Sequence, residues 1–314
     1  TLTLRDTRSI YDGGNDCTLG RRVEVLHPPG FEVTGDPHVI FVHGYNVRQE
    51  EARLSYAQFR WWLEHFGVHA RIIELHWPGD YGVEKLRAGC YPWKVSTAEG
   101  GGVMLADWIA ARPDCTRFVL VGHSLGCRLV MEAVAELRAQ RQLGRIESVH
   151  LMAAAVPVRA VERDDLGPRQ GEVGPPRWRV LYSRGDTVLS RYFELGQAAA
   201  ADDVGSEAVG LTGAPSDRWN TAGSAVEMAQ GSAVRVEGSF YDHSDYWQGG
   251  PEKQADEVVR RSWREPLQAV EAPPRNRGES ARVFAGLLHA LPPQPLPVLP
   301  WPAARPPPVR YLPG

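Results

Sequence analysis

Apolar positions along the chain follow two alternating rhythms. Short runs rich in β-branched and aromatic residues read as buried strands: "HVIFV" at 38–42, "RIIEL" at 71–75, "FVLV" at 118–121, "SVHLMAAAVP" at 148–157, "WRVLY" at 178–182 and "AVRVE" at 233–237. Between them the apolar spacing turns helical. Ala52, Tyr56, Phe59, Leu63 and Phe66 line one face before Gly67, and Leu125, Leu129, Ala133 and Leu137 line another that Met131, Val134 and Ala135 widen. Further helices are expected at 101–111 and near 253–264. Strand followed by helix, repeated, argues for an α/β fold with a mostly parallel sheet and helices on both faces.

The remaining segments are less regular. Residues 1–37 read as short antiparallel strands, Arg22 to Leu26 the clearest, between turn-rich pieces. Residues 79–101 read as a loop-rich insert carrying Tyr81, Cys90, Tyr91 and Trp93, and 159–176 as charged surface. Residues 196–233 read as a short helix with irregular turns. The segment 292–314 holds ten prolines and is expected to run extended along the surface. The organisation expected is one domain over 1–290, with N-terminal strands 1–37, a core at 38–250 and C-terminal helices at 251–290, followed by a proline-rich tail at 291–314.

Chemistry enters at "FVLVGHSLGCRLV", 118–130. The Gly-x-Ser-x-Gly box falls between a strand and a helix, where a tight turn pushes the serine hydroxyl above the sheet. Gly122 and Gly126 flank it because side chains there would strike neighbouring backbone. Ser124 is the candidate nucleophile, and the helix N-terminus beneath it favours developing negative charge. A serine hydroxyl needs a base, and the base needs a carboxylate to hold its tautomer. Hydrolases of this architecture carry them in the order Ser, acid, His. Only His243 and His289 follow the candidate acid, and His289 sits in an apolar helical stretch, so His243 is taken as the base. Asp186, in the loop after "WRVLY", is taken as the acid, with Asp164 and Asp165 as alternatives. Asp242 and Asp245 are read as solvating the His243 loop.

An oxyanion needs two N–H donors. Leu125 N–H, next to the serine, supplies one. The second is expected from "HVIFVHGYN", where Gly44 lets the backbone approach and Tyr45 N–H donates. His43 and His123 are read as supporting residues that hold the loops. Tyr81, Trp93 and Trp219 are candidate pocket aromatics.

The segments "FVHGYN" and "LVGHSLG", with "GDTVL" and "DHSDYW" downstream, resemble the α/β-hydrolase superfamily. The stretch from about 38 to 156, including "HWPGD", is similar to a group of uncharacterised bacterial α/β-hydrolases. The resemblance covers most of 36–250 and implies an α/β-hydrolase fold, an eight-stranded, mostly parallel sheet with the triad at its carboxyl edge. It is uninformative about substrate. The N-terminal segment and the proline-rich tail depart from it.

Composition narrows the rest. A formal charge of -3 over 314 residues argues against a dedicated nucleic-acid binder. No apolar run reaches the length of a membrane span. His69 and His76 do not make a helical zinc pair, and no phosphate-binding glycine fingerprint exists, so neither metal nor cofactor is expected. The four cysteines favour a cytoplasmic setting, although a Cys17–Cys90 disulfide and secretion stay open for a chain beginning at Thr1; Cys115 has no assigned partner, and Cys127 reads as a small buried thiol. The expected function is a carboxylesterase- or lipase-like serine hydrolase acting on a small ester or lipid-like substrate. An acyltransferase using the same residues and a non-catalytic binding module are the alternatives. The tail is a candidate route to a homo-oligomer.

Overall fold

A computed structural model describes residues 1–7, 17–26, 37–80, 91–113, 116–162, 166–169, 176–200, 203–213, 225–228, 241–248 and 279–289. Eight strands form one sheet: β1 (Leu2–Arg5), β2 (Leu19–Val25), β3 (His38–Val42), β4 (Arg71–His76), β5 (Phe118–His123), β6 (Ile146–Met152), β7 (Arg177–Tyr182) and β8 (Ala225–Glu227). Their order across the sheet is β2-β1-β4-β3-β5-β6-β7-β8. Seven strands run parallel, and β2 alone opposes its neighbour at one edge. The central strands β3 and β5 are buried along their whole length, as strands covered on both faces must be.

Among the described residues, eight helices carry the connections: α1 (Gln49–His65), α2 (Tyr91–Ala110), α3 (Gly126–Ala139), α4 (Val158–Glu162), α5 (Glu194–Ala200), α6 (Val209–Thr212), α7 (Asp245–Gln248) and α8 (Glu279–His289). The crossover through α1 steps from β3 to β4, whereas those through α2 and α3 step the other way. Right-handed crossovers therefore put α1 on one face and α2 and α3 on the other. α2 and α3 pack together, and α1, α7 and α8 form the opposite layer.

Two expectations need correction. The segment 91–100 is not loop but the first half of α2. Its Gly100-Gly101-Gly102 run looks like a breaker, yet it is where α3 approaches. A Cβ at Gly102 would lie 2.7 Å from the Leu129 carbonyl oxygen and 2.9 Å from Ala133 N. Close helix packing outweighs the roughly 1 kcal/mol that each helical glycine costs. The N-terminal segment is also not simply antiparallel. β1 lies inside the sheet, parallel to β4, and only β2 turns back on it. Within 196–233 the described pieces are the rest of α5, α6 and β8. The strand expected at 233–237, the helix near 253–264 and the proline-rich tail lie outside the described residues. No helix among the described residues is long and apolar enough to cross a membrane.

Candidate active site

The turn between β5 and α3 holds Ser124 at φ 53°, a left-handed conformation costing a non-glycine residue about 1–3 kcal/mol. Three bonds keep it there. Ser124 N–H donates to the Met152 carbonyl at 2.9 Å, and the Ser124 carbonyl accepts from Cys127 N–H at 3.0 Å and Ala155 N–H at 3.1 Å. The flanking glycines are required by space. A Cβ at Gly122 would sit 3.0 Å from Cys127 Cα, and one at Gly126 would run into the His43 carbonyl. Burial raises the thiol pKa of Cys127, just inside α3, which leaves it an inert packing group.

His243 reaches this serine from a later loop, and Asp186 stands behind His243. His243 Nε2 lies 2.8 Å from Ser124 Oγ, and His243 Nδ1 lies 2.8 Å from Asp186 Oδ2. A carboxylate only accepts, so in the neutral imidazole Nδ1 carries the proton and Nε2 is left to accept from the serine hydroxyl. Asp186 is fully buried. Its other oxygen accepts from Leu189 N–H at 2.8 Å, where the chain enters a π-helical turn over 189–193 that leads into α5. The base loop is anchored just beyond His243. Trp247 on α7 inserts edge-on among Phe41, Tyr56 and Phe59.

The loop after β3 forms the third side. Gly44 presses on the elbow so closely that a Cβ there would lie 2.8 Å from Ser124 Cβ and 3.1 Å from His123 Nδ1. The "HWPGD" segment clamps this loop from behind. Trp77 donates twice to His43, from Nε1–H to its carbonyl at 2.7 Å and from its backbone N–H to Nε2 at 3.3 Å. Asn46 N–H donates to the Gly79 carbonyl at 2.9 Å. Because Nε2 accepts, Nδ1–H of His43 donates to the Gly44 carbonyl at 3.0 Å. Burial first, then neighbouring His76, hold the His43 pKa well below its ordinary value, so the ring is neutral. Tyr45 follows Gly44, and its ring meets Tyr91 of α2 edge to face at 5.4 Å. Leu125 N–H has no partner among the described residues.

His123, between Gly122 and Ser124, reaches the other way. Its Nε2–H donates to the His243 carbonyl at 2.7 Å. Burial, then the neighbouring His243, lower its pKa to about 3, so it too is neutral. The structure thus brings Ser124, Asp186 and His243 into one hydrogen-bonded line, with Leu125, Gly44, Tyr45, His43 and His123 around it. Asp164, Asp165, Tyr81, Trp219, Cys90 and Cys115 lie outside the described residues, as does the His289 side chain. Trp93 is 69% exposed on α2. No cluster able to hold a metal ion occurs among the described residues.

Reading the sequence missed three contributors. Trp77 sits in a segment whose role was not assigned. Asp242 does more than solvate its loop: its Oδ1 accepts from Thr187 N–H at 3.0 Å, Thr187 Oγ1–H at 2.7 Å and His243 N–H at 2.9 Å. Thr187 is the third. The adjacency of Thr187 to Asp186 and of Asp242 to His243 was the only available signal.

Of the comparisons with known proteins, the family model agrees with this architecture. Curated proteins yield no match. Solved structures that match include polyneuridine aldehyde esterase, at 13% identity and a TM-score of 0.30, covering 73% of this chain and 100% of that one. A histidine-to-alanine mutant of the same esterase matches at 12% identity and a TM-score of 0.31, covering 82% of this chain and 99% of that one. Scores that low carry no argument about fold or activity. The family model for alpha/beta hydrolases of unknown function (DUF900) matches residues 34–200, more than half of the chain and including β3 through α5. The chain belongs to that alpha/beta hydrolase family.

Proposed function

We propose that the protein is a serine hydrolase that cleaves a carboxylic ester, or a related acyl bond, through an acyl-enzyme. The observation that carries this reading is the unbroken line from Asp186 through His243 to Ser124, with 2.8 Å at both contacts. Ser124 Oγ attacks the acyl carbon while its proton passes to His243 Nε2. Asp186 stabilises the imidazolium that results. The negative charge on the former carbonyl oxygen falls to the N–H groups of Leu125 and Tyr45, at the α3 N-terminus and beside Gly44. Collapse expels the alkoxide, which takes the proton from His243. Water then attacks the acyl carbon, giving its proton to His243, and the acid leaves as Ser124 recovers its own.

The rings of Tyr45 and Tyr91, packed together beside the elbow loop, support an apolar acyl group, as for a carboxylesterase- or lipase-like enzyme. Turnover of aryl esters with graded acyl length tests both parts. Hydrolysis by wild type that disappears in Ser124→Ala supports the reaction, and a rate that rises with acyl length supports the apolar group. Equal rates in both proteins would refute the reaction, and rates indifferent to acyl length would refute the apolar preference.

A further inference from the structure

The acid and the base belong to loops 57 positions apart in the chain, and their contact depends on how those loops are joined. The loop over 241–245 is closed on itself: Asp242 N–H donates to Asp245 Oδ2 at 2.8 Å, and Asp245 N–H donates to the Asp242 carbonyl at 3.0 Å. Besides the Tyr241 N–H bond to the Met228 carbonyl at 3.4 Å, three side-chain ties hold it outward. Ser183 Oγ–H donates to the Tyr241 carbonyl at 2.6 Å, His123 Nε2–H donates to the His243 carbonyl at 2.7 Å, and Asp242 Oδ1 takes the two donors of Thr187. Ser183 and Thr187 stand on either side of Asp186, so the acid loop is held at both flanks.

The Thr187 tie differs from the other two. Ser183 and Tyr241 are buried, whereas Thr187 and Asp242 are exposed, so removing one of the exposed pair leaves no buried polar group unsatisfied and the variant is expected to fold. The same Asp242 oxygen also receives His243 N–H at 2.9 Å. One atom therefore touches the residue after the acid and the backbone of the base itself. Burial alone would raise the Asp242 pKa, but the bonds from Thr187 and His243 outweigh it and hold the carboxyl below its ordinary value.

We propose that Asp242 is a positioning residue that locks the loop carrying His243 to the loop carrying Asp186 and so sets the Nδ1–Oδ2 contact. Its catalytic consequence rests on the hydrolase reading above; its structural consequence does not. Two readouts on the full chain keep these apart. The first is the far-downfield Nδ1 proton of His243 in protein carrying 15N-histidine, which reports the His243–Asp186 bond without any turnover. The second is the rate of labelling by a fluorophosphonate probe.

Asp242→Ala is expected to lose or shift the downfield resonance and to label roughly 10–100-fold more slowly, since small misplacements of reacting groups have effects of that size. Asp242→Asn keeps an acceptor oxygen and is expected to restore both readouts. Thr187→Val deletes only the Oγ1–H donor and keeps the Thr187 and His243 N–H bonds to Asp242, so it is expected to change both readouts in the same direction as Asp242→Ala but less, and Thr187→Ser to behave as wild type, which covers the case of an Ala variant that does not fold. An Asp242→Ala protein with the wild-type resonance and labelling rate would overturn the proposal. So would an Asn variant as impaired as the Ala variant, because charge rather than the bonds would then be responsible. A wild type that never labels, but whose downfield resonance vanishes in Asp242→Ala, would sustain the positioning role while the hydrolase reading failed.

Discussion

The two sides of the site are built by different physics. On one side, the elbow and the Gly44 loop are set by backbone and buried packing. Ser124 is held in its left-handed conformation by main-chain bonds, Gly44 and Gly126 allow contact that no side chain would permit, and Trp77 fixes His43 from within the core. On the other side, Asp186 and His243 are brought together by side-chain bonds between segments distant in the chain: Ser183 to Tyr241, Thr187 to Asp242, and His123 to the His243 carbonyl. Steric exclusion leaves the first side almost no freedom, whereas the second is set by polar ties, of which the Thr187–Asp242 pair is open to water.

Substitutions can break or sharpen that contrast, and the largest effects strike the line common to both sides. Ser124→Ala and His243→Ala are expected to lower kcat on the order of 10^6-fold, and Asp186→Asn roughly 10^4-fold, in steady-state ester hydrolysis. Next comes the packed side. Gly44→Ala would place a Cβ 2.8 Å from Ser124 Cβ, and a displaced nucleophile is expected to cost roughly 100-fold or more in kcat/KM. If Gly44→Ala left kcat/KM within a few-fold of wild type, the Gly44 loop would be as adjustable as the acid–base side, and the contrast would fail. Trp77→Phe keeps an aromatic ring in place but deletes the bond from Nε1–H to the buried His43 carbonyl. An unmet buried acceptor is expected to cost about 1–3 kcal/mol in denaturant unfolding, with activity falling less than in Gly44→Ala.

The smallest effect concerns a property shared by both sides, a buried neutral histidine: His43 in one, His123 in the other. Such rings take up a proton on unfolding. For His123, with an ordinary value of 6.5 and a folded value of about 3, the unfolded chain binds more protons throughout that window. Stability therefore falls as pH drops from 6.5 towards 3. His150, in β6 beneath Phe284 of α8, isolates the effect away from the site. Its ring centroid lies 4.5 Å from that of Phe284, neither nitrogen has a partner among the described residues, and burial first, then Arg179, lowers its pKa to about 3. His150→Leu is expected to flatten the loss of stability between pH 6 and 4 by up to about 1.4 kcal/mol per pH unit. An unchanged slope in thermal melts across that range would show that His150 takes up no extra proton on unfolding.

How much could be read from the sequence follows the same division. The elbow was readable because its determinants are local: an apolar strand, two glycines around a serine and a helical repeat. The Gly44 loop was readable for the same reason. Asp186 and His243 could be named from chain order and from their places after apolar runs, and the structure sets them in hydrogen-bond contact. What joins them could not, since Asp242 and Thr187 are 55 positions apart and each, taken alone, is an ordinary polar loop residue. Trp77 was hidden similarly, because its partner His43 belongs to another strand end. In the fold, the helix expected from 101 begins ten residues earlier, at Tyr91; local propensity disfavours the Gly100–Gly102 run inside it, while packing of α3 against Gly101 and Gly102 favours a helix. The inward place of β1 depends on pairing with β4, which no local pattern announces.

The central claim is that Ser124 is a nucleophile activated by His243. It is tested most directly by intact-mass analysis after incubation with a fluorophosphonate, wild type beside folded Ser124→Ala and His243→Ala. The account predicts one adduct per chain on wild type, mapped to Ser124, and none on either variant. A folded wild type that takes no adduct, or one whose adduct persists in Ser124→Ala, would contradict it.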